Sequence, residues 1–204
     1  MILYPTETIY ALGANALDEG ALQKLFALKS RDSAKSVSWL VRDMVDTAQY
    51  GVVSDTAYAI AARFLPGPLT LVVPAHPHVP AFATSPKGTI GFRISTDTVA
   101  REVVAAFMTE YQSPLTCTSA NLSGYPTTSS PTAIIEQFGA AAANITEIYD
   151  DGVRSGSAST VVQVIGDEVI ILREGAIPAA DIINRSATWV DLSEVEYATA
   201  NLNQ

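Results

Sequence analysis

The densest group of cations in this sequence is a candidate anion site. Lys29, Arg31 and Lys35 fall within one short stretch, although the whole chain of 204 residues has only 12 lysines and arginines. Arginine offers a planar fork for a carboxylate or a phosphate, and lysine offers a mobile point charge. Lys29 and Arg31 cannot share a helix face, so they can converge only if a helix ends between them and the chain turns. The alternative is a solvated helix end, where cations complement the helix dipole.

Hydroxyl side chains at the ends of predicted strands form a second set of candidate ligands. Thr6 follows Pro5, which fixes the backbone at a strand end, where open sheets place ligands. Its hydroxyl could bind a small polar substrate, or it could cap the following turn. Ser159 and Thr160 could place a hydroxyl at the start of a strand that faces the same ligand site. The alternative for these two residues is β-propensity alone.

The segment TSANLSG at 118–124 is a third candidate. Ser119, Asn121 and Ser123 lie in a loop closed by Gly124, and they could bind phosphate oxygens or ribose through side chains and backbone N–H groups. Such polar loops are also ordinary turns. The sequence contains neither G-x-x-x-x-G-K-[ST] nor G-x-G-x-x-G, so any ATP would have to be bound by another arrangement.

Two further arginines fall in apolar surroundings. Arg93 and Arg173 each lie in or at the end of a predicted apolar strand. Burying a guanidinium without a partner is costly, so each of them needs either a structural carboxylate or a bound anion.

Other polar groups are weaker candidates. Cys117 lies in an apolar strand, far in sequence from His76 and His78, which does not favour a Cys/His nucleophilic pair and predicts a packed thiol. The two histidines have no thiolate or carboxylate nearby, which argues against a dedicated metal site. The segment at 150–152 is typical of a turn rather than of a magnesium site. We therefore predict no metal held by the protein itself.

The overall composition limits the possible partners. With 21 acidic residues the chain has a net charge of −9, so it repels polyanions as a whole and any anion site must be local. A single cysteine excludes an internal disulfide framework, and we find no secretory signal pattern, so a cytoplasmic protein is expected. No apolar run approaches the length of a membrane span, and no membrane association is predicted.

Hydrophobic periodicity predicts the elements that carry these residues. Helices are expected after the candidate N-caps Asp18 and Asp97, within 43–64 and over 133–138. Short apolar runs predict strands over 2–5, 37–41, 69–74, 89–94, 115–118, 147–149, 160–165 and 169–172. Strands and helices alternate, so the expected fold class is α/β, a single-domain twisted open mixed sheet with flanking helices. We expect this domain to span 1–177, followed by a C-terminal helix and tail over 178–204.

The order and spacing of six short motifs resemble the YrdC-like family of threonylcarbamoyladenylate synthases across nearly the whole chain. The motifs are YPTETIYALGANAL at 4–17, LKSR at 28–31, PGPLTLVVP at 66–74, TSANLSG at 118–124, STVV at 159–162 and ILREG at 171–175. The resemblance implies a twisted α/β sheet with a positively lined cleft. It also implies a nucleotidyltransferase that condenses L-threonine, bicarbonate and ATP, with Mg²⁺, into threonylcarbamoyl-AMP and pyrophosphate. A downstream transferase would use this product to modify tRNA, and weak contact with tRNA is possible.

The resemblance also assigns roles to individual residues. The threonine or its carbamate would be held by Thr6, Arg31 and Ser159, with Arg31 pairing the carboxylate. The phosphates and ribose of ATP would be held by Lys29, Ser119, Asn121 and Arg173. The catalytic residues would be Lys29 and Arg31, and the cleft would be supported by Arg93 and Thr118.

Departures from the family pattern keep two alternatives open. Asp32 and Ser36 stand where prolines are usual after the K-x-R cluster, and Asp32 places a negative charge beside Arg31. Ala11 and Ala158 replace a glycine and a glutamate. A YciO-like paralogue with the same fold and a different activity is therefore one alternative. A non-catalytic RNA-binding protein is the other, although no basic stripe interleaved with aromatic residues is visible.

Overall fold

The computed structural model describes residues 1–31 and 36–186. Within these ranges the strands are β1 (Ile2–Tyr4), β2 (Ala11–Gly13), β3 (Ser38–Leu40), β4 (Leu69–Pro74), β5 (Thr89–Arg93), β6 (Leu115–Ser119), β7 (Glu147–Ile148), β8 (Thr160–Ile165) and β9 (Glu168–Arg173). The α-helices are α1 (Glu19–Leu28), α2 (Met44–Tyr50), α3 (Asp55–Phe64), α4 (Thr98–Tyr111), α5 (Pro131–Phe138) and α6 (Ala179–Ser186). Asp32, Lys35 and the segment 187–204 lie outside the described residues.

The strands of the described ranges form one sheet in the order β7-β1-β2-β6-β3-β5-β4-β8-β9. Three neighbouring pairs are parallel, namely β1 with β7, β3 with β5 and β4 with β8. The other neighbours are antiparallel. The predicted α/β fold with a mixed sheet and flanking helices is therefore confirmed.

The helices begin where the sequence predicts. The Asp18 carboxylate accepts a hydrogen bond from the backbone N–H of Ala21 at 3.0 Å, and the Asp97 carboxylate accepts one from Ala100 at 3.0 Å. Each bond satisfies a donor that the first helical turn leaves without a partner. Both predicted N-caps are confirmed.

Strand β2 is absent from the sequence-based prediction. It has three residues, all of them buried, so it shows no alternation of apolar and polar side chains. It forms because β1 and β6 pair with it from either side in antiparallel register. Tertiary pairing, and not a local signal, therefore defines this strand.

The two faces of the sheet are covered to different extents. One face carries the larger core, to which Leu69, Leu71 and Val73 of β4 contribute. On the other face α4 packs a smaller core against the part of the sheet that includes Leu40 and Leu115. Because side chains alternate along a strand, the side chain between Leu69 and Leu71 points to this second face. Beyond α4, no helix of the described residues covers the second face over β5, β4 and β8, and a cavity lies there.

No helix within residues 1–31 and 36–186 is long and apolar enough to cross a membrane.

The expected domain boundary after residue 177 falls immediately before α6. Ile177 and Ile182 are both buried in the larger core, and α6 packs against α3.

Candidate functional site

A cavity of about 630 Å³ lies on the open part of the sheet. Gly91 lines the base of the cavity and has no side chain to fill it. A Cβ atom there would lie 3.0 Å from Ser38 Oγ and 3.1 Å from Thr70 Cγ2. Six of the residues proposed from the sequence line this cavity, namely Arg31, Arg93, Thr118, Ser119, Ser159 and Arg173. The fold thus brings together side chains from segments that are far apart in sequence.

The charge of the cavity lining is opposite to that of the whole chain. Its cationic side chains are Arg31, Lys87, Arg93 and Arg173, and no Asp or Glu lines it within the described ranges. The chain as a whole carries a net charge of −9. A cleft lined by one sign of charge concentrates ligands of the other sign, so this cavity is built for an anion.

A turn at the end of α1 places Arg31 at the cavity. The backbone N–H groups of Ser30 and Arg31 bond back to the carbonyls of Ala27 and Phe26 at 3.1 and 2.9 Å, and Ser30 has a left-handed φ of 50°. This is the Schellman pattern of helix termination. The helix thus ends with Lys29 as its C-cap, and the chain turns before Arg31.

The guanidinium of Arg31 has unused donor capacity. Its Nη2 donates to the Ser36 carbonyl at 2.7 Å, whereas its Nε is buried and has no hydrogen-bond partner. Burial lowers the pKa of Arg31 below its ordinary value. A buried donor without a partner is costly, and an anion in the cavity would supply the missing acceptor.

Arg93 is held by a polar network behind the cavity wall. Its Nη2 donates to Glu7 Oε1 at 2.9 Å, to Thr8 Oγ1 at 2.6 Å and to Thr6 Oγ1 at 3.3 Å, while its Nε is buried without a partner. Glu7 also accepts a hydrogen bond from Ser95. Burial would raise the pKa of Glu7, but the Arg93 charge and the hydrogen bonds outweigh it and the pKa is lowered. The charge of Arg93 is therefore matched by a carboxylate.

Thr6 caps the turn that follows it, which is one of the two roles that the sequence allowed for its hydroxyl. Its Oγ1 donates to the Ile9 carbonyl at 2.6 Å and accepts from the backbone N–H groups of Thr8 and Ile9 at 3.2 Å each. The side chain is fully buried and does not line the cavity. Thr6 therefore supports the cavity through its contact with Arg93.

Ser159 and Arg173 form a hydrogen-bonded unit near Arg93 in the cavity lining. Arg173 Nη2 donates to the Ser159 carbonyl at 2.6 Å and to Ser159 Oγ at 3.3 Å. Ser159 Oγ also lies 2.9 Å from Thr70 Oγ1. Burial, with a further contribution from the nearby charge of Arg93, lowers the pKa of Arg173. Two guanidinium groups that repel one another would both be stabilised by a shared anion.

Lys29 and Asn121 are joined behind the wall rather than exposed in it. Lys29 is only 1% exposed, and its Nζ donates to the Ser119 carbonyl, to the Asn121 carbonyl at 2.8 Å and to Asn121 Oδ1 at 3.5 Å. Asn121 Oδ1 also accepts from Ser119 Oγ at 2.5 Å. Lys29 thereby fixes the loop after β6 to the end of α1, and it fixes Ser119, which does line the cavity.

The ammonium group of Lys29 should leave a pH signature in stability. Burial, followed by the nearby charge of Arg31, lowers its pKa from 10.5 to about 8. Between these two values the unfolded chain keeps a proton that the folded protein has released, so stability rises with pH in this window. Relative to Lys29→Met, the unmodified protein should gain about 2 kcal/mol of unfolding free energy from about pH 7.5 to about pH 10. Urea unfolding of both proteins measures this gain, and parallel pH profiles would refute it.

Sequence reasoning did not identify several residues of the site. Lys87 lies in an exposed Ser-Pro-Lys-Gly segment, which is typical of a solvated turn, yet it lines the cavity. Thr70 occupies an alternating position of β4, where threonine is ordinary. Glu7 lies inside the PTET motif, but its partner Arg93 is 86 residues away. Of these three residues, only Thr70 could have been noticed in the sequence, because it is a polar residue within an apolar strand.

The structure also shows the surroundings of the weaker candidates, His76, His78 and Cys117. Within residues 1–31 and 36–186, no group of three or more His, Cys, Asp or Glu side chains could hold a metal ion. His76 and His78 stack on one another with ring centroids 5.7 Å apart. Cys117 is buried and also borders the cavity.

Comparison with known proteins identifies the family of this chain. The Sua5, YciO and YrdC family model, described as telomere recombination, matches residues 1–175. A relative from Methanocaldococcus jannaschii, provisionally named a threonylcarbamoyl-AMP synthase, is 35% identical over 179 residues, which cover 87% of this chain and 81% of the relative. The threonylcarbamoyl-AMP synthase of Pyrococcus abyssi is 34% identical over 187 residues, covering 89% of this chain and 52% of that protein.

A solved structure shows the same architecture. The crystal structure of P. abyssi Sua5 complexed with L-threonine has a TM-score of 0.78 and 31% sequence identity, covering 90% of this chain and 52% of that chain. This chain thus spans about half the length of the P. abyssi proteins that it matches. Since the family model covers almost all of the described sheet, the chain belongs to the Sua5, YciO and YrdC family.

Proposed function

We propose that this protein is an L-threonylcarbamoyladenylate synthase. It converts L-threonine, bicarbonate and ATP into threonylcarbamoyl-AMP, pyrophosphate and water. The observation that carries the proposal is a cavity of about 630 Å³ whose described lining holds three arginines and a lysine but no carboxylate. The names of the relatives and the threonine complex of the P. abyssi protein support the same activity.

The chemistry fits a site that is rich in cations and hydroxyls. The threonine amine attacks bicarbonate or CO₂ to give a carbamate, and a carbamate oxygen then attacks the α-phosphorus of ATP while pyrophosphate leaves. Once the carbamate exists, little general-base catalysis is required. The enzyme must instead hold two anions in line and stabilise the charge that develops on phosphorus.

The charge balance of the cavity suggests where each substrate binds. Arg93 is matched by Glu7, so the side of the cavity formed by Arg93, Ser159 and Arg173 carries about one excess positive charge. We place the single carboxylate of threonine there, within reach of the hydroxyls of Ser159 and Thr70. In this proposal Thr6 acts indirectly, through Arg93.

The triphosphate fits the side of the cavity that Arg31 and Ser119 line. Arg31 has no carboxylate partner among the described residues and has a free Nε donor. We therefore assign Arg31 to the phosphates of ATP, in place of the threonine carboxylate that the sequence suggested. Lys29 and Asn121 position Ser119 here, while Arg173 reaches the α-phosphate from the threonine side.

Mg²⁺ would enter with ATP as its phosphate complex. The described lining offers hydroxyl and carbonyl oxygens but no carboxylate, so the phosphates and water would supply most of the ligands that Mg²⁺ requires.

Thr118 and Arg93 would support the cavity wall. We further propose a cytoplasmic protein with one catalytic domain over 1–177, whose product passes to a tRNA-modifying transferase, with at most weak contact to tRNA itself.

The decisive experiment is mass spectrometry of the product formed from ATP, Mg²⁺, bicarbonate and isotopically labelled threonine. We expect threonylcarbamoyl-AMP carrying the label, together with pyrophosphate release that requires threonine. Omission of threonine or bicarbonate is the control.

Two other results would contradict the proposal in different ways. A YciO-like activity would leave ATP binding intact without any labelled adenylate. A non-catalytic RNA-binding protein would bind tRNA tightly in a gel shift at moderate salt and would release no pyrophosphate.

A further inference from the structure

Lys87 lies at the same end of the cavity as Arg31. Strands β3 and β5 are parallel, with Trp39 opposite Phe92, so their amino ends lie side by side. Continuing that register places Ser36, whose carbonyl binds Arg31, beside Thr89. Neighbouring strands are about 5 Å apart, and Lys87 precedes Thr89 by two residues at about 3.3 Å each, so we infer that the backbone of Lys87 lies on the order of 10 Å from that of Ser36. A lysine side chain can cover most of this distance.

The turn that carries Lys87 is rigid, and its backbone donors are already used. Ser85 Oγ accepts from the backbone N–H groups of Lys87 and Thr89 at 3.2 and 3.1 Å, and the Gly88 N–H bonds to the Ser85 carbonyl at 2.8 Å. Gly88 has a φ of 69°, a conformation that favours glycine. The ammonium group of Lys87 is therefore the cationic donor that this turn offers to a ligand.

Lys87 is exposed, borders the cavity and forms no ion pair within the described part of the chain. A lysine ammonium is a mobile, strongly hydrated charge, which suits a multiply charged phosphate at a solvent-facing mouth. The planar fork of Arg31, which is half-buried, suits the inner part of the same ligand. Together they give this end two positive charges that no described carboxylate neutralises.

Resting on the proposed function, we propose that Lys87 binds the terminal phosphates of ATP and the pyrophosphate that is released. It is a specificity-determining residue for the nucleotide and makes no contact with threonine. The proposal requires that loss of Lys87 weaken the binding of pyrophosphate and ATP, and that it leave the use of threonine unchanged.

The test compares Lys87→Ala, Lys87→Arg and the matched control Lys24→Ala. Lys24 is an exposed lysine of α1 that does not line the cavity. Isothermal calorimetry with pyrophosphate alone should show affinity about fivefold to tenfold weaker for Lys87→Ala, as expected for one partly exposed charge-assisted contact. Lys87→Arg should retain most of the affinity, and Lys24→Ala all of it. The KM for ATP should rise by a similar factor in Lys87→Ala while the KM for threonine stays constant.

The outcomes separate this inference from the proposed function. Equal pyrophosphate affinity in Lys87→Ala and the unmodified protein, a raised KM for threonine, or no pyrophosphate binding by the unmodified protein would each overturn it. If the unmodified protein makes threonylcarbamoyl-AMP and Lys87→Ala behaves identically, only the inference fails. If no adenylate forms but pyrophosphate binding depends on Lys87, the proposed activity fails and the phosphate site stands.

Discussion

Replacing Arg31 with alanine is expected to lower threonine-dependent pyrophosphate release about 100-fold or more. Arg31 contributes a half-buried guanidinium whose Nε has no hydrogen-bond partner among the described residues, at the end of the cavity where no described carboxylate competes for it. Fixed donors that meet developing charge in a water-poor site are worth about two to three orders of magnitude in rate. Initial rates of pyrophosphate release at saturating substrates measure the loss.

Two further variants make the Arg31 experiment specific. Arg31→Lys keeps the charge but loses the planar fork, so it should restore only part of the rate. Arg63→Ala removes an exposed arginine of α3 that does not line the cavity, and it should behave as the unmodified protein does. All variants should keep the same circular dichroism spectrum. Near-normal turnover by a folded Arg31→Ala protein would show that the phosphate site is assigned wrongly.

Replacing Arg93 with methionine is expected to lower the free energy of unfolding by about 3 kcal/mol, the largest stability effect that we predict. The side chains of Arg93 and Glu7 are only 6% and 15% exposed, and they form an ion pair of 2.9 Å. Removing one partner of a buried pair leaves the other charge without compensation, which typically costs about 3–5 kcal/mol. Urea unfolding at neutral pH measures the change.

A double variant and an exposed arginine provide the controls. Replacing both partners, as Glu7→Gln with Arg93→Met, should cost less than Arg93→Met alone, because no buried charge is left unmatched. Arg63 of α3 is exposed and forms no ion pair within the described residues, so Arg63→Met should cost about 0.5 kcal/mol or less. Equal losses for Arg93→Met and Arg63→Met would contradict the role assigned to the buried network.

Local signals in the sequence predicted most elements of the fold. The caps Asp18 and Asp97 and the spacing of the apolar residues after them define α1 and α4, because capping and amphipathicity act within a few residues. The apolar run of β4 was predicted with its observed bounds. Strand β2 was missed because three buried residues carry no periodicity, and only its neighbours make it a strand.

The candidate site was predicted as a set of residue types, and the structure supplied its arrangement. Arg31, Ser119, Ser159 and Arg173 were proposed from the chemistry of their side chains and from the family resemblance, and all four line one cavity. The sequence could not separate side chains in the wall from those behind it. Lys29 was predicted to be a direct ligand of ATP; in the structure its Nζ is hydrogen-bonded to the loop after β6, and it does not line the cavity.

The amino-acid sequence by itself determined the fold class, the helix starts and the kinds of groups available for binding an anion. Tertiary structure alone decided that Lys87 borders the cavity, that Glu7 neutralises Arg93 and that Arg31 pairs with no carboxylate among the described residues. The physical reason is that capping and periodicity depend on neighbours along the chain. Charge balance in a cavity depends on strand order and register, which bring together segments separated by scores of residues.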